Sequence, residues 1–163
     1  MPRTYPPGAT DSWAYGLNDA GVVVGESGGR AVRWTGGRIA DLGVPDLGRA
    51  VVVNRRGVVV GESFGPAGGR AFRWDRGTVT ELPPLPGDTH SFVTGVNDRG
   101  EVLGASSGDR YRPVLWRPDG TVVDLAALTG LVRVTDLDDH GRYVGEQLYD
   151  GMKAGRRCGS AAG

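Results

Sequence analysis

A single cysteine, Cys158, in a chain of 163 residues excludes an internal disulfide framework. No stretch approaches the run of about 18 apolar residues that a membrane-spanning helix requires. The first residues, Met1-Pro2-Arg3-Thr4-Tyr5-Pro6-Pro7-Gly8, contain no apolar core of a signal peptide. Net charge is also lacking: 19 basic residues balance 19 acidic ones. A nucleic-acid binder draws most of its affinity from neutralising phosphates, so no nucleic-acid partner is expected. With two histidines, His90 and His140, a zinc site is poorly supplied, and no cofactor is expected.

What the chain has in quantity is glycine and valine, and both are placed regularly. The 29 glycines fall between short apolar runs such as Val22-Val23-Val24, Val51-Val52-Val53 and Val58-Val59-Val60. Short β-branched runs bounded by turn residues read as many short strands with tight reversals.

Aligning the chain on itself exposes a repeat. Gly16-Leu17-Asn18 through Ser27 overlays Val52-Val53-Asn54 through Ser63 and Gly95-Val96-Asn97 through Ser106, with a weaker copy at Asp136-Leu137-Asp138 through Glu146. A second half follows: Arg30-Ala31-Val32-Arg33-Trp34, Arg70-Ala71-Phe72-Arg73-Trp74 and Arg112-Pro113-Val114-Leu115-Trp116. Then comes an acid–leucine pair: Asp41-Leu42, Glu81-Leu82 and Asp124-Leu125. The repeat-defining positions are therefore Asn18, Asn54, Asn97 and Asp138, then Gly21, Gly57, Gly100 and Gly141, and then Trp34, Trp74 and Trp116. The period is about forty residues.

Each unit predicts four antiparallel strands, a to d. Asn or Asp opens the a–b turn with its side chain on a backbone amide, and the glycine three residues later takes positive φ. Four short strands per forty residues is a β-propeller blade, so the fold class expected is all-β, a propeller-like array of about four blades. Residues 1–150 form the repeat domain. Tyr5-Pro6-Pro7-Gly8 resembles Leu82-Pro83-Pro84 through Gly87, which predicts a last blade split between the termini or left incomplete. Residues 151–163 offer nothing to pack and are expected to form a disordered tail, or the remnant of a longer repeat protein.

At these residues the chain resembles the HAF-repeat family of bacterial proteins. The matching stretches are Gly16-Leu17-Asn18 through Gly25, Ala31-Val32-Arg33-Trp34 with Asp41-Leu42-Gly43, and Ala71-Phe72-Arg73-Trp74 with Gly95-Val96-Asn97 through Gly104. The likeness covers residues 5 to 150, with Arg30, Arg70 and Arg112 where the family has histidine. It implies a propeller-like fold and an extracellular location, whereas the chain as written, without a signal, reads as cytoplasmic. It brings no catalytic residues.

Several constellations invite a functional reading. The tryptophans suit a carbohydrate platform, but their identical placement favours packing between blades. Glu26, Glu62 and Glu146 with Arg30, Arg70 and Arg112 read as repeated cross-strand charge pairs. Asp136-x-Asp138-x-His140-Gly141 resembles the start of a calcium loop but has Gln147 where a bidentate acid belongs. Pro83-Pro84-Leu85-Pro86 reads as a stiff connection between blades. Asp88, His90 and Ser91 are triad residue types too close in sequence to supply triad geometry without help from the fold. Strand a, read as Tyr15-Gly16-Leu17, Val52-Val53 and Thr94-Gly95-Val96, offers little acid–base chemistry.

The expected function is a non-catalytic binding or scaffold module, presenting variable b–c and d–a loops at two faces to an unidentified protein or carbohydrate. Self-association through exposed blade edges is the expected oligomeric contact. The alternatives are a propeller enzyme with a polar site at the axis, or a fragment of a longer array.

Overall fold

The computed structural model describes residues 10–149 and 152–160. It contains fifteen strands and one short helix in four antiparallel sheets. Blade 1 comprises β1 (Ser12–Leu17), β2 (Val23–Ser27), β3 (Arg30–Thr35) and β4 (Arg38–Asp41). Blade 2 comprises β5 (Leu47–Val53), β6 (Val59–Gly65), β7 (Gly68–Asp75) and β8 (Thr78–Leu82). Blade 3 comprises β9 (His90–Val96), β10 (Val102–Ser107), β11 (Tyr111–Trp116) and β12 (Val122–Asp124). After α1 (Leu125–Thr129), blade 4 follows as β13 (Leu131–Leu137), β14 (Arg142–Tyr149) and β15 (Met152–Ser160). The expected propeller-like array of about four blades is the observed architecture, with three strands of the last blade among the described residues.

Strand polarity settles the position of the loops. In an up-and-down sheet the a–b and c–d turns share one face and the b–c and d–a loops share the other. The expectation of variable loops at two faces is corrected accordingly: both sets stand on one mouth.

The blades stack through apolar faces, and alternation along each strand assigns every side chain to a front or a back. Val24 and Ala31 on the back of blade 1 pack with Ala50, Val53, Val59, Phe72 and Trp74 on the front of blade 2. Val60 and Ala71 on the back of blade 2 meet Val102, Val114 and Trp116 of blade 3. Leu103 and Leu115 on the back of blade 3 meet Val134, Leu137 and Tyr143 of blade 4. The acid–leucine pairs supply Leu42, Leu82 and Leu125 to the same three cores.

Two differences from the sequence reading have clear causes. Met152–Ser160 is not an unpaired tail: it runs antiparallel to β14, with Val144 opposite Cys158 and Gly145 opposite Arg157. Pairing uses main-chain groups and needs no apolar side chain, so a glycine- and arginine-rich segment suffices. Residues 161–163, and the Tyr5–Gly8 segment expected to complete a split blade, lie outside the described residues. The helix α1 was not expected. Asp124 caps its start, accepting from the Ala127 amide at 2.9 Å, and Gly130, with φ of 71°, ends it by donating to the Ala126 carbonyl.

Candidate functional site

The a–b turns show how the fold is tied together. The Oδ1 of Asn18 accepts from the amides of Ala20 and Val22, and that of Asn97 from Arg99 and Glu101. Asn54 Oδ1 accepts from Val58, and Asp138 Oδ1 from His140 and Arg142. Gly21, Gly57, Gly100 and Gly141 take φ values of 74 to 82° at the following corner. The asparagines have a second role that sequence reasoning missed. Asn18 Nδ2 donates to the Asn54 carbonyl at 2.9 Å, Asn54 to the Asn97 carbonyl at 2.8 Å, and Asn97 to the Asp138 carbonyl at 3.0 Å. A ladder of buried amides thus links each blade to the next. Asp138 has no amide to pass on. Arg55 bridges Asp98 and Asp139 on the same face. These residues tie the turns together.

The charge pairs differ from the expected ones. Glu62 lies opposite Ala71, so Arg70 is offset from it by one residue and points to the other face. Arg30, Arg70 and Arg112 instead reach the acids of strand d: Asp41 at 3.0 Å, Glu81 at 3.4 Å and Asp124 at 3.5 Å. Strand b carboxylates face strand a. Glu62 lies opposite Arg49 and takes both Nε and Nη2 on one oxygen, at 3.1 and 2.7 Å. Glu146 faces Arg133 at 3.9 Å, and Glu26 lies opposite Trp13. Strand a is longer than the sequence reading allowed, and its first residues carry the charge.

The other predicted residues are placed as follows. Trp74 and Trp116 are buried between blades, Trp74 under the Arg33 guanidinium and Trp116 donating to the Pro83 carbonyl at 2.8 Å. Trp34, on the front of blade 1, is half-buried. Ser91 is fully buried, donating to the Leu82 carbonyl and accepting from the Ala71 amide; His90 bonds Thr89. Asp88 turns instead to Ser106 at 2.5 Å and Arg112 at 2.8 Å, so the triad types are not assembled. Asp138, at the expected calcium loop, spends its oxygens on turn amides and Arg142, and Gln147 donates to the Thr129 carbonyl. Among the described residues no three acidic, histidine or cysteine side chains converge to hold a metal.

What does converge lies at the mouth. Glu62 is 6% exposed, whereas Trp13, Tyr15, Phe64 and Tyr111, on strands that open on this mouth, are each 44–48% exposed. Arg49 lies 5.5 Å over the Phe64 ring. The hydrogen bond that Arg49 donates to Glu62 holds its guanidinium above its ordinary pKa against burial, and Tyr15 and Glu26 of blade 1 add to it. Burial raises the Tyr111 phenol, Arg133 works against this, and Glu62 reinforces it. Glu62 thus acts on both Arg49 of its own blade and Tyr111 of blade 3. Tyr111 also walls a groove of about 720 Å³ between blades 3 and 4, with Asp88, Arg112, Asp124, Ala126 and Val132. Burial works to raise the Asp88 carboxyl, but Ser106 and Arg112 overcome it and leave its pKa lowered. A half-apolar concavity with a few fixed polar groups and shifted pKa values has the character of a small-molecule site.

No protein-family model and no curated protein matches the chain. Among solved structures it is similar to the X-ray structure of a "putative gluconolactonase", at 14% identity and a TM-score of 0.52, over 98% of this chain and 66% of that one. The chain thus spans just under two thirds of that protein's length. At this identity the likeness establishes the fold, a propeller. It also corrects the expected non-catalytic binding or scaffold module, because the propeller that the chain follows is one named for an enzyme.

Proposed function

We propose that this chain carries the polar site of a propeller enzyme that hydrolyses a small polyhydroxylated carbonyl compound, a sugar lactone being the substrate class. The carrying observation is the nearly buried Glu62 carboxylate, with one oxygen gripped by Arg49, whose guanidinium lies over the half-exposed Phe64 ring. Aromatic faces take the C–H face of a sugar, and fixed charges take its hydroxyls. The second Glu62 oxygen is the base in this reading. It accepts a proton from water as the water oxygen adds to the lactone carbonyl. The resulting oxyanion faces the cationic and phenolic groups of Arg133 and Tyr111. Collapse breaks the ring C–O bond, and the proton passes to the leaving hydroxyl, giving an open hydroxy acid that ionises. The name of the similar solved structure supports this substrate class. The HAF-like repeat supplies the scaffold on this view.

Acid release from a panel of aldonolactones, followed with a pH indicator, tests the reading. Glu62→Gln is expected to lower kcat by 10²-fold or more while circular dichroism stays unchanged. Wild-type turnover no faster than buffer, or a Glu62→Gln variant as active as wild type, would sink it.

A further inference from the structure

The three blade junctions are built from one repeated pair of positions. Val24, Val60 and Leu103 occupy the same place on the backs of blades 1, 2 and 3, and each is fully buried. Val53, Val96 and Leu137 occupy the matching place on the fronts of blades 2, 3 and 4, and each packs into the core of the blade before it. Both series continue by one member at the ends of the array. The fourth back residue is Val144, 40% exposed, with Leu148 beyond it at 65%. The missing front residue is Leu17 of blade 1, 68% exposed and next to Asn18 as Val53 is next to Asn54. Although Val32 on the front of blade 1 is already fully buried within the chain, Leu17 and Val144 leave open at the two ends the pair of positions that meets at each internal junction.

We infer that the front of blade 1 docks on the back of blade 4 of a second copy of this chain, head to tail. Continuity with the internal junctions argues for a copy over an unrelated partner, because a second copy presents the matching half at the matching height. The same contact leaves a free end on each chain, so it either closes into a ring or propagates. Two copies together exceed the length of the similar solved propeller, of which one spans 66%, so the product is a wider ring or a helical stack. The amide ladder marks the one difference at this junction: Asp138 has no donor for the Asn18 carbonyl, whereas its ion-pair partner Arg142, 2.7 Å away, carries several.

Light scattering on the full chain and two surface variants tests this. Wild type is expected to associate with rising concentration, and Leu17→Asp and Val144→Asp are each expected to be monomeric. Mixing the two variants should restore a one-to-one pair, since Leu17→Asp keeps an intact back and Val144→Asp an intact front. Near-UV circular dichroism of each variant should match wild type, which separates a lost contact from a lost fold. A wild type that stays monomeric throughout overturns the inference. So does either variant that associates alone as wild type does, which would mean front-to-front or back-to-back contact, or a mixture that fails to pair.

Discussion

Asparagine and aspartate are interchangeable as turn openers, since both offer an oxygen to the next amides, yet only asparagine can also donate. The first three blades use that difference and the fourth does not. The turn role was legible in the sequence because the donating amides lie two and four residues away. The ladder was not, because its partners lie 36 to 43 residues on and only stacking brings them together. At Asp138 the amides of Arg142 and His140 and the Arg142 guanidinium outweigh desolvation and lower the pKa from 3.8 to about 2. A carboxyl whose folded pKa is depressed contributes stability above its unfolded pKa and loses it as pH falls through the folded value. Acid titration of the wild type between about pH 4 and pH 2 should therefore show a loss of stability that Asp138→Asn lacks. The check is the difference in urea midpoint between the two proteins at several pH values. Equal slopes across that window would mean that the turn does not hold the carboxylate as the geometry requires.

Strands a to d were readable from valine runs and turn residues because periodicity is local, and their pairing partners follow from an up-and-down order. Register was less readable. The glutamates and arginines sit close in sequence, but a one-residue offset puts them on opposite faces, and the true partner of Glu62 is Arg49, on a strand whose start the valine run did not reveal. That single error hid the candidate site, because Arg49 and Arg133 are the residues that bring charge to the mouth. The glycine closing each valine run belongs to the same register. Strand a shifts register there, bringing the carbonyls of Trp13, Arg49, Phe92 and Arg133 against Gly25, Gly61, Gly104 and Gly145. A Cβ on Gly61 would overlap the Arg49 oxygen and press 2.7 Å from the Phe72 ring. Relief requires the strand pair to part or Phe72 to leave its rotamer. Gly61→Ala should cost about 1–3 kcal/mol, read as a lower urea midpoint with an unchanged slope. A neutral result would show that β5 and β6 are further apart than the register implies.

Across the whole molecule the extensive contacts run between consecutive blades, as in a linear repeat, so stability is distributed along the array. Blades 2 and 3 are covered on both faces. Blade 1 leaves Leu17 open on its front, and blade 4 leaves Val144 and Leu148 open on its back. An end blade gives up one junction when it opens, whereas an inner blade must give up two. Local opening should therefore cost least at the ends. Hydrogen exchange read by mass spectrometry on dilute protein is expected to show slowest exchange in β6, β7, β10 and β11, and faster exchange in β2, β3 and β14. The contrast lies between strands of the same rank in their sheets, so it reports junctions and not edge position. Uniform protection from blade 1 to blade 4 would mean that the sheets open together and that the junctions do not set the order. Concentration adds a second reading to the same experiment. If copies dock head to tail, each end blade gains its missing junction, so protection of β2 and β14 should rise with protein concentration while β6 and β10 stay constant. A gradient that ignores concentration would keep the linear picture of the fold and remove the second copy from it.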